Sequence, residues 1–106
     1  MEDQTRSIAS HFKVPTICVT RGGDGALLFR DGRVFENMGY PVTVSDTVGA
    51  GDSFLATLLH GLYAGLNSQD ALDRACAVGA LVASKPGANP FVQEEEIESL
   101  IRSRLD

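Results

Sequence analysis

DTVGAGDSF, at residues 46–54, is the stretch that decides how this chain is interpreted. Gly49 and Gly51 flank a single alanine, and the carboxylate of Asp52 follows directly. After Phe54 the residues become small and apolar, as in a buried helix. A glycine-rich loop that leads into a helix exposes main-chain N–H groups that can bind an anion, and the helix dipole strengthens the attraction. The stretch therefore predicts a phosphate site.

The rest of the chain is consistent with one small globular domain spanning residues 1–106, of which 43% are hydrophobic. A net charge of −5 and the absence of any lysine or arginine cluster argue against a nucleic-acid or anionic-membrane surface. The N-terminus has neither the basic start nor the apolar core of a signal peptide, and no apolar run approaches the ~20 residues of a membrane span. We expect a soluble, cytoplasmic protein.

The two cysteines support the same compartment. Cys18 lies in an apolar run and Cys76 in a helical pattern, without the CxxC spacing or the histidine cluster of a zinc site. Both are predicted to be buried free thiols, as in a reducing cytoplasm.

The first half of the chain is interpreted as a helix followed by short strands. The predicted elements are a helix at 2–12, strands at TICVT, ALLFR, RVFEN and PVTVS, a glycine-rich turn at RGGDG, and a hairpin turn at Asp31-Gly32. This order places DTVGAGDSF between a strand and a helix. Ligands of α/β sheets commonly bind at the carboxyl ends of strands, so the location favours a binding site.

Three helices are predicted in the second half. One runs from Gly51 through Leu62 and is capped by Gly65. The second begins near Ser68, where Ser-Gln-Asp offers a cap and a first-turn acid, and it ends at Lys85-Pro86-Gly87. An amphipathic helix from Glu94 to Arg104 carries glutamates at its positive end.

The residues of the glycine loop allow other interpretations. The chain lacks the GxxxxGK[ST] of a P-loop and the GxGxxG of a dinucleotide fold. GDSF at residues 51–54 resembles the GDSL esterases, but those need a later Asp-x-x-His, whereas His11 precedes the motif and His60 follows it closely. In the remaining alternative, Asp52 only caps the helix and the glycines only form a tight turn.

Taken together, these stretches resemble one enzyme family. DTVGAGDSF is similar to the second signature of the ribokinase/PfkB carbohydrate kinases. VTRGGDGALLF resembles their nucleotide-contacting strand and turn, DALDRACAVGALVAS their adenine-side helix, and SKPGANP the loop that follows it, in a fructokinase-like form. The resemblance implies an α/β, Rossmann-like ribokinase fold. Full members are considerably longer, so this chain corresponds to their C-terminal, nucleotide-binding portion.

The resemblance also assigns roles to the signature loop. Asp52 would be the base that takes the proton from the sugar hydroxyl as it attacks the γ-phosphate of ATP. The N–H groups of Gly49, Ala50, Gly51 and Asp52 would form an anion hole for the transferred phosphoryl group. Asp46, with backbone carbonyls near Val48 and in the loop at 83–87, resembles a potassium site, although Asp46 could equally only cap the turn. Mg²⁺ would arrive with ATP.

Two further sets of residues are implied to contact the nucleotide. Thr20, Gly22 and Gly25 would line its phosphates and ribose, with a simple β-turn as the alternative. Ala75, Gly79 and Val82 would border adenine, or else serve only tight helix packing.

The predicted function is ATP-dependent phosphorylation of a sugar hydroxyl, with fructose favoured by SKPGANP. The alternative is a non-catalytic nucleotide-binding or structural fragment. Because the acceptor-binding half is missing, the isolated chain is predicted to be inactive and to self-associate through the apolar surface that half would cover.

Overall fold

A computed structural model describes residues 16–86 and 92–103. Within these ranges the chain forms three strands and three helices. They are β1 (Thr16–Thr20), β2 (Ala26–Arg30), β3 (Arg33–Asn37), α1 (Ala50–Tyr63), α2 (Ser68–Ser84) and α3 (Glu94–Ser103). The predicted helix at 2–12, most of SKPGANP and the end of the last helix at Arg104 lie outside the described residues.

The strands form one antiparallel sheet in the order β1-β2-β3. A single 3₁₀ turn, Gly22–Asp24, joins β1 to β2, and Asp31-Gly32 joins β2 to β3. Both residues of this hairpin turn have positive φ, 52° and 79°, as the tight turns that match strand twist require. The predicted strands at 16–20, 26–30 and 33–37 and the hairpin between the last two are confirmed.

The predicted strand at residues 41–45 is wrong, since this segment pairs with no described strand. Its last N–H group, that of Ser45, donates instead to the carbonyl of Ala83 near the end of α2, at 2.8 Å, and the N–H of Asp46 donates to the same oxygen at 3.0 Å. Main-chain groups satisfied by a helix end have no need of a strand partner. The signature loop thus follows a segment fastened to α2.

The junction between α1 and α2 follows the expected cap chemistry. Gly65, with φ of 90°, donates to Leu62 O at 3.3 Å, and Leu66 donates to Gly61 O at 3.0 Å, the paired bonds of a Schellman motif. Gly65 therefore caps α1 as predicted. The cap of α2 was predicted within Ser-Gln-Asp at residues 68–70, but it is Asn67, one residue earlier, whose side chain accepts from the N–H of Asp70 at 2.8 Å.

The core lies between the sheet and the paired helices α1 and α2. Leu28 in the central strand and Leu72 in α2 are completely buried, and Leu58 of α1 is 2% exposed. Small residues allow the helices to approach closely, because a Cβ added at Gly61 would lie 3.2 Å from the Cβ of Ala71. A second cluster of Tyr40, Ala77 and Ile97 attaches α3 to α2. No helix in the described ranges is long and apolar enough to cross a bilayer.

Both cysteines are free thiols, but they are only partly buried rather than fully buried as predicted. Cys18 and Cys76 pack against the core from its edge, one on β1 and one on α2. Burial raises the pKa of Cys18, and it raises that of Cys76 to about 12, so both thiols stay protonated near neutral pH.

Candidate functional site

A cavity of about 320 Å³ opens between the sheet, the start of α1 and one face of α2, a volume within the ~300–1,000 Å³ range of small-molecule sites. Four segments contribute to it: the turn after β1, the chain from 39 to 47, the start of α1, and α2. The lining residues are Thr20, Gly22, Gly23, Gly25, Gly39, Tyr40, Val42, Val44, Thr47, Ala50, Gly51, Phe54, Cys76, Gly79, Ala80 and Ala83.

Six residues expected from the sequence to contact phosphate or nucleotide thus line one cavity. They are Thr20, Gly22, Gly25, Ala50, Gly51 and Gly79. They come from segments up to about sixty residues apart in the sequence, and the fold places them together.

The glycines of the turn after β1 have different surroundings. A Cβ added at Gly22 or Gly23 would meet no atom within 4 Å, so their faces are open to a ligand. A Cβ at Gly25 would lie 1.8 Å from the carbonyl oxygen of Asn37, and Gly25 also has a φ of 97°. The fold itself therefore requires glycine at residue 25, as expected if this segment is a simple β-turn. At Gly22 and Gly23, by contrast, space remains for a bound group.

The start of α1 presents open hydrogen-bond donors. The N–H of Ala50 donates to Thr47 O at 3.2 Å, and that of Ser53 donates to Gly49 O at 2.9 Å. The N–H groups of Gly51 and Asp52 have no acceptor among the described residues, as is usual in a first helical turn. They lie at the positive end of the helix dipole, so this end of the cavity attracts anions.

Asp52 itself is exposed in the first turn of α1 and is not part of the cavity lining. Gly49, the cap residue, also lies just outside it. The carboxylate therefore adjoins the anion-attracting end of the cavity instead of facing its interior. A base that acts on an acceptor outside the nucleotide site would need this position.

One face of α2 forms the opposite wall. Cys76, Gly79, Ala80 and Ala83 recur at helical spacing and line the cavity. A Cβ at Gly79 would lie 3.5 Å from Ala50 O and from Phe54 Cβ, an ordinary contact distance. Small side chains keep this wall open and largely apolar.

Two residues assigned to the adenine site lie elsewhere on α2. Ala75 is completely buried and Val82 is 4% exposed, and neither lines the cavity. Adjacent helical residues are about 100° apart around the axis, so Ala75 faces the core while its neighbour Cys76 faces the cavity. The placement agrees with the packing alternative, and the period of Cys76, Gly79 and Ala83 is the signal that would have identified the correct face.

Asp46 and Val48, assigned to a potassium site, form a turn beside the C-terminal end of α2. Asp46 Oδ1 accepts from the N–H of Val48 at 2.9 Å, as a turn-capping carboxylate does. The Val48 side chain is exposed, so only its carbonyl could act as a ligand. In the described part of the chain no group of three or more His, Cys, Asp or Glu side chains could hold a metal ion. Carboxylate and carbonyl oxygens near Asp46 still suit a hard monovalent cation.

The sequence did not reveal the bend after β3, at Gly39 and Tyr40, as a cavity wall. A Cβ at Gly39 would lie 2.3 Å from Gly23 O, so the bend packs directly on the glycine turn. Tyr40 is 5% exposed and its hydroxyl reaches α2. Asn37, buried just before the bend, donates to the Tyr40 hydroxyl and accepts from the N–H of Gly39.

The cavity attracts anions through its main chain. Among the residues that line it there is no Asp, Glu, Lys, Arg or His, and the thiol of Cys76 is neutral because burial raises its pKa. The N–H groups at the start of α1 are therefore the positive end of this site, with an apolar α2 face at the other end. A molecule with a flat apolar part and a phosphate chain matches both.

Comparisons with known proteins agree with this arrangement. The family model for the pfkB family carbohydrate kinases matches residues 2–95. 2-Dehydro-3-deoxygalactonokinase of Haloferax volcanii is 35% identical over 95 residues, which are 90% of this chain and 30% of that enzyme. Fructokinase of Escherichia coli is 32% identical over an alignment of 100 positions, which covers 88% of this chain and 33% of that enzyme.

Among solved structures, Arabidopsis thaliana ribokinase complexed with ribose and ATP superposes with a TM-score of 0.82 at 26% identity. The match covers 96% of this chain and 34% of the ribokinase. The mixed α/β architecture predicted from the sequence is thus the ribokinase fold. The chain spans about a third of the length of the relatives it matches.

Proposed function

Because the chain belongs to the pfkB family of carbohydrate kinases, we propose that it is the nucleotide-binding and catalytic-base part of a kinase that phosphorylates a sugar hydroxyl. It would be the C-terminal portion of that enzyme. The observation that carries the proposal is the shared cavity, in which the glycine turn after β1 and the start of α1 face the same space.

In this proposal the cavity holds ATP. Gly22 and Gly23 allow the phosphates and ribose to approach the main chain, with Thr20 beside them. The base packs on the α2 wall at Gly79 and Ala80, and Ala75 and Val82 support that wall from the core. Mg²⁺ arrives with the triphosphate and neutralises part of its charge.

The start of α1 carries the chemistry. The N–H groups of Gly51 and Asp52 bind the γ-phosphoryl oxygens, and Gly49 and Ala50 shape the turn that aims them. Donors of this type contribute roughly 3–4 kcal/mol each to a transition state. Asp52, exposed beside them, accepts the proton of the attacking sugar hydroxyl. Phosphoryl transfer depends mainly on positioning, which the rigid helix start provides.

A potassium ion would sit beside this loop. Its ligands would be Oδ2 of Asp46 and nearby carbonyl oxygens, including that of Val48. Asp46 fixes the turn that leads into α1 through its bond to Val48. A cation bound by Asp46 would therefore stabilise the same turn.

Fructose is the sugar we favour, on the fructokinase-like SKPGANP segment, which lies mostly outside the described residues. The names of the relatives point to several sugars and sugar acids, so the substrate class is a sugar or sugar acid with a free hydroxyl. Free thiols and the use of ATP both fit a cytoplasmic enzyme.

A second candidate is a nucleotide-binding fragment without catalysis. It is favoured by an apolar surface on α1 that the described residues leave largely exposed. We call this surface the outer face of α1: Leu55, Leu59 and Tyr63, which are 52%, 47% and 91% exposed. Self-association of the chain through this face would follow.

The experiment that tests the proposed site is titration of the chain with MgATP, comparing Gly51→Val with Ala56→Val. A side chain at Gly51 would meet no protein atom within 4 Å but would project into the cavity, so it should obstruct phosphate without disturbing the fold. Ala56 is exposed on the same helix and outside the cavity. We expect Gly51→Val to weaken binding at least about tenfold and Ala56→Val to leave it unchanged.

Equal affinity in the two variants would contradict the nucleotide site. A coupled ADP assay with fructose, added to the same samples, tests whether the chain also contains an acceptor site. The isolated chain should release no sugar-dependent ADP, because it holds the donor without the acceptor. Sugar-dependent turnover by the chain alone would show that the acceptor site is present in it.

A further inference from the structure

We propose that Asn37 is a positioning residue of the nucleotide site, which holds the bend at Gly39 and Tyr40 in place through Asp73 of α2. This inference rests on the proposed function, since it concerns a wall of the same cavity. Neither Asn37 nor Asp73 lines the cavity. Their effect on a nucleotide must therefore pass through the residues they hold.

The side chain of Asn37 directs all of its hydrogen bonds to these neighbours. Its Nδ2 donates to Asp73 Oδ1 at 2.9 Å and to the hydroxyl of Tyr40 at 3.2 Å. Its Oδ1 accepts from the N–H of Gly39 at 2.7 Å. Asn37 is 8% exposed, so its amide has little water to replace a lost partner.

Register explains why an asparagine at this point faces the helices. Asn37 pairs with Ala26, which pairs with Thr20, so the three side chains share one face of the sheet. Ala26 packs in the core beneath α1 and α2, and Thr20 lines the cavity. Asn37 thus ends β3 on the cavity side of the sheet, opposite α2.

Asp73 fastens this amide to α2. Its Oδ1 accepts from Asn37 and, at 2.8 Å, from Nε2 of Gln69 one turn earlier. Its carbonyl oxygen accepts from the Tyr40 hydroxyl at 3.4 Å. The bend is therefore tied to the helix whose next turn carries Cys76 and the rest of the apolar cavity wall.

The bend in turn supports the glycine turn by direct main-chain contact. A Cβ at Gly39 would lie 2.3 Å from Gly23 O, and one at Gly25 would lie 1.8 Å from Asn37 O. The bend and the glycine turn are so close that no side chain fits between them, and no flexible group is available to absorb a movement of either segment. A displacement of Gly39 must therefore move Gly23, which we place against the phosphates.

The first measurement is titration of the chain with MgATP. Asn37→Ala should weaken binding about tenfold, because it releases the bend and leaves the Gly39 N–H without its acceptor. The control is Leu58→Ala, which removes a buried side chain that does not line the cavity. It should lower stability and retain the affinity of the unmodified chain.

Rescue distinguishes positioning from loss of packing. Asn37→Asp alone sets two carboxylates against each other and should bind MgATP poorly. The double exchange Asn37→Asp with Asp73→Asn restores one amide and one carboxylate at the same contact. It should return the affinity to within about threefold of the unmodified chain. Affinity in Asn37→Ala equal to that of Leu58→Ala, or no recovery in the exchange, would overturn the proposal.

Amide hydrogen exchange gives a readout that does not depend on nucleotide. Asn37→Ala should accelerate exchange at residues 22–25 and 39–40 more than Leu58→Ala does. If the unmodified chain fails to bind MgATP, the proposed function is wrong, and this measurement still decides whether Asn37 holds the bend. Unchanged exchange in both segments would contradict the positioning role.

Discussion

The inner and outer sides of α1 carry similar residues in opposite surroundings. On the inner side Phe54 and Leu58 are 8% and 2% exposed and pack against the sheet and α2. On the outer side Leu55 and Leu59, their neighbours in sequence, are 52% and 47% exposed. Apolar side chains therefore occupy two sides of α1, of which only one is buried among the described residues.

This difference indicates which part of a kinase the chain can complete by itself. The inner side borders a cavity whose walls and main-chain donors all come from described residues. The outer side is an apolar surface that no described residue covers, and Asp52 is exposed at the first turn of the same helix. In the proposed kinase, the inner side of α1 would serve the nucleotide site, and the exposed outer side would pack against other parts of the enzyme.

The largest effect is expected at Asp52. In a full-length kinase that carries this chain, Asp52→Asn should lower kcat about 10³-fold, because the amide cannot accept the sugar proton. The KM for ATP should hardly change, since Asp52 lies outside the cavity lining. Steady-state kinetics with the sugar and ATP varied in turn would measure both constants.

The control for that prediction is Glu98→Gln, which removes a carboxylate from the exposed side of α3, far from α1 in sequence. It should leave kcat unaltered. Turnover above a tenth of the unmodified rate in Asp52→Asn would remove the base assignment.

We expect the wall of the cavity to be rigid where the main chain of the glycine turn contacts the main chain at the end of β3. Gly25→Ala should be among the most destabilising single changes, because its methyl would overlap Asn37 O and its φ of 97° suits glycine alone. Gly32→Ala is the matched control, with a φ of 79° but open space around the new methyl.

Conformational strain alone should cost Gly32→Ala about 1–2 kcal/mol of unfolding free energy. Gly25→Ala adds a steric clash to that strain and should exceed about 4 kcal/mol or abolish folding. Urea unfolding followed by circular dichroism measures the difference. An equal loss of unfolding free energy in Gly25→Ala and Gly32→Ala would mean that the bend can move away from the glycine turn and that this wall of the cavity is not rigid.

The contrast between the two sides of α1 can be tested with one residue type. Leu58→Ala should cost about 2–5 kcal/mol of unfolding free energy, because it leaves a cavity in the core. Leu59→Ala should change it by less than about 0.5 kcal/mol, since Leu59 is 47% exposed and belongs to neither core cluster of the described residues. Denaturant unfolding at low protein concentration gives both values.

Light scattering over a range of concentrations extends that comparison. Leu59→Ala should reduce self-association of the chain, and Leu58→Ala should not. A monomeric unmodified chain at all concentrations would show that the outer face of α1 is too small an apolar surface to associate.

Local features of this fold were predictable because they depend on neighbouring residues. The hairpin at Asp31-Gly32 and the Gly65 cap follow from backbone preferences that a few residues determine. Residues 41–45 have the composition of a strand, but their place is decided by the carbonyl of Ala83, about forty residues away. No local pattern contains that bond.

The same limit applied to the site. The glycine loops predicted that Gly22, Gly25 and Gly51 belong to one binding site, and these residues line one cavity. Of the residues assigned to the adenine side of α2, Gly79 lines the cavity, whereas Ala75 and Val82 are buried outside its lining, because small residues on both sides of that helix obscure its period. Asn37 gave no signal, since its role depends on contacts with Asp73 across the fold.

The smallest effect concerns the attachment of α3, away from both sides of α1. Arg74 of α2 forms an ion pair and hydrogen bonds with Glu94, and these lower the pKa of the Glu94 carboxyl. A carboxyl whose pKa is lower in the folded state stabilises the protein above its unfolded pKa, about 4.3. That contribution is lost as the pH falls through the folded pKa.

Glu94→Gln should therefore reduce stability slightly at pH ~7 and make no difference in strong acid, where the carboxyl is protonated anyway. The pair is exposed to solvent, so the loss should be below about 1 kcal/mol and should shrink in salt. Urea titrations at pH ~7 and pH ~2 measure it, with Glu95→Gln on the same exposed turn as the control. A loss that persisted undiminished in acid would assign the effect of the substitution to helix propensity or packing, because a protonated Glu94 no longer forms an ion pair with Arg74.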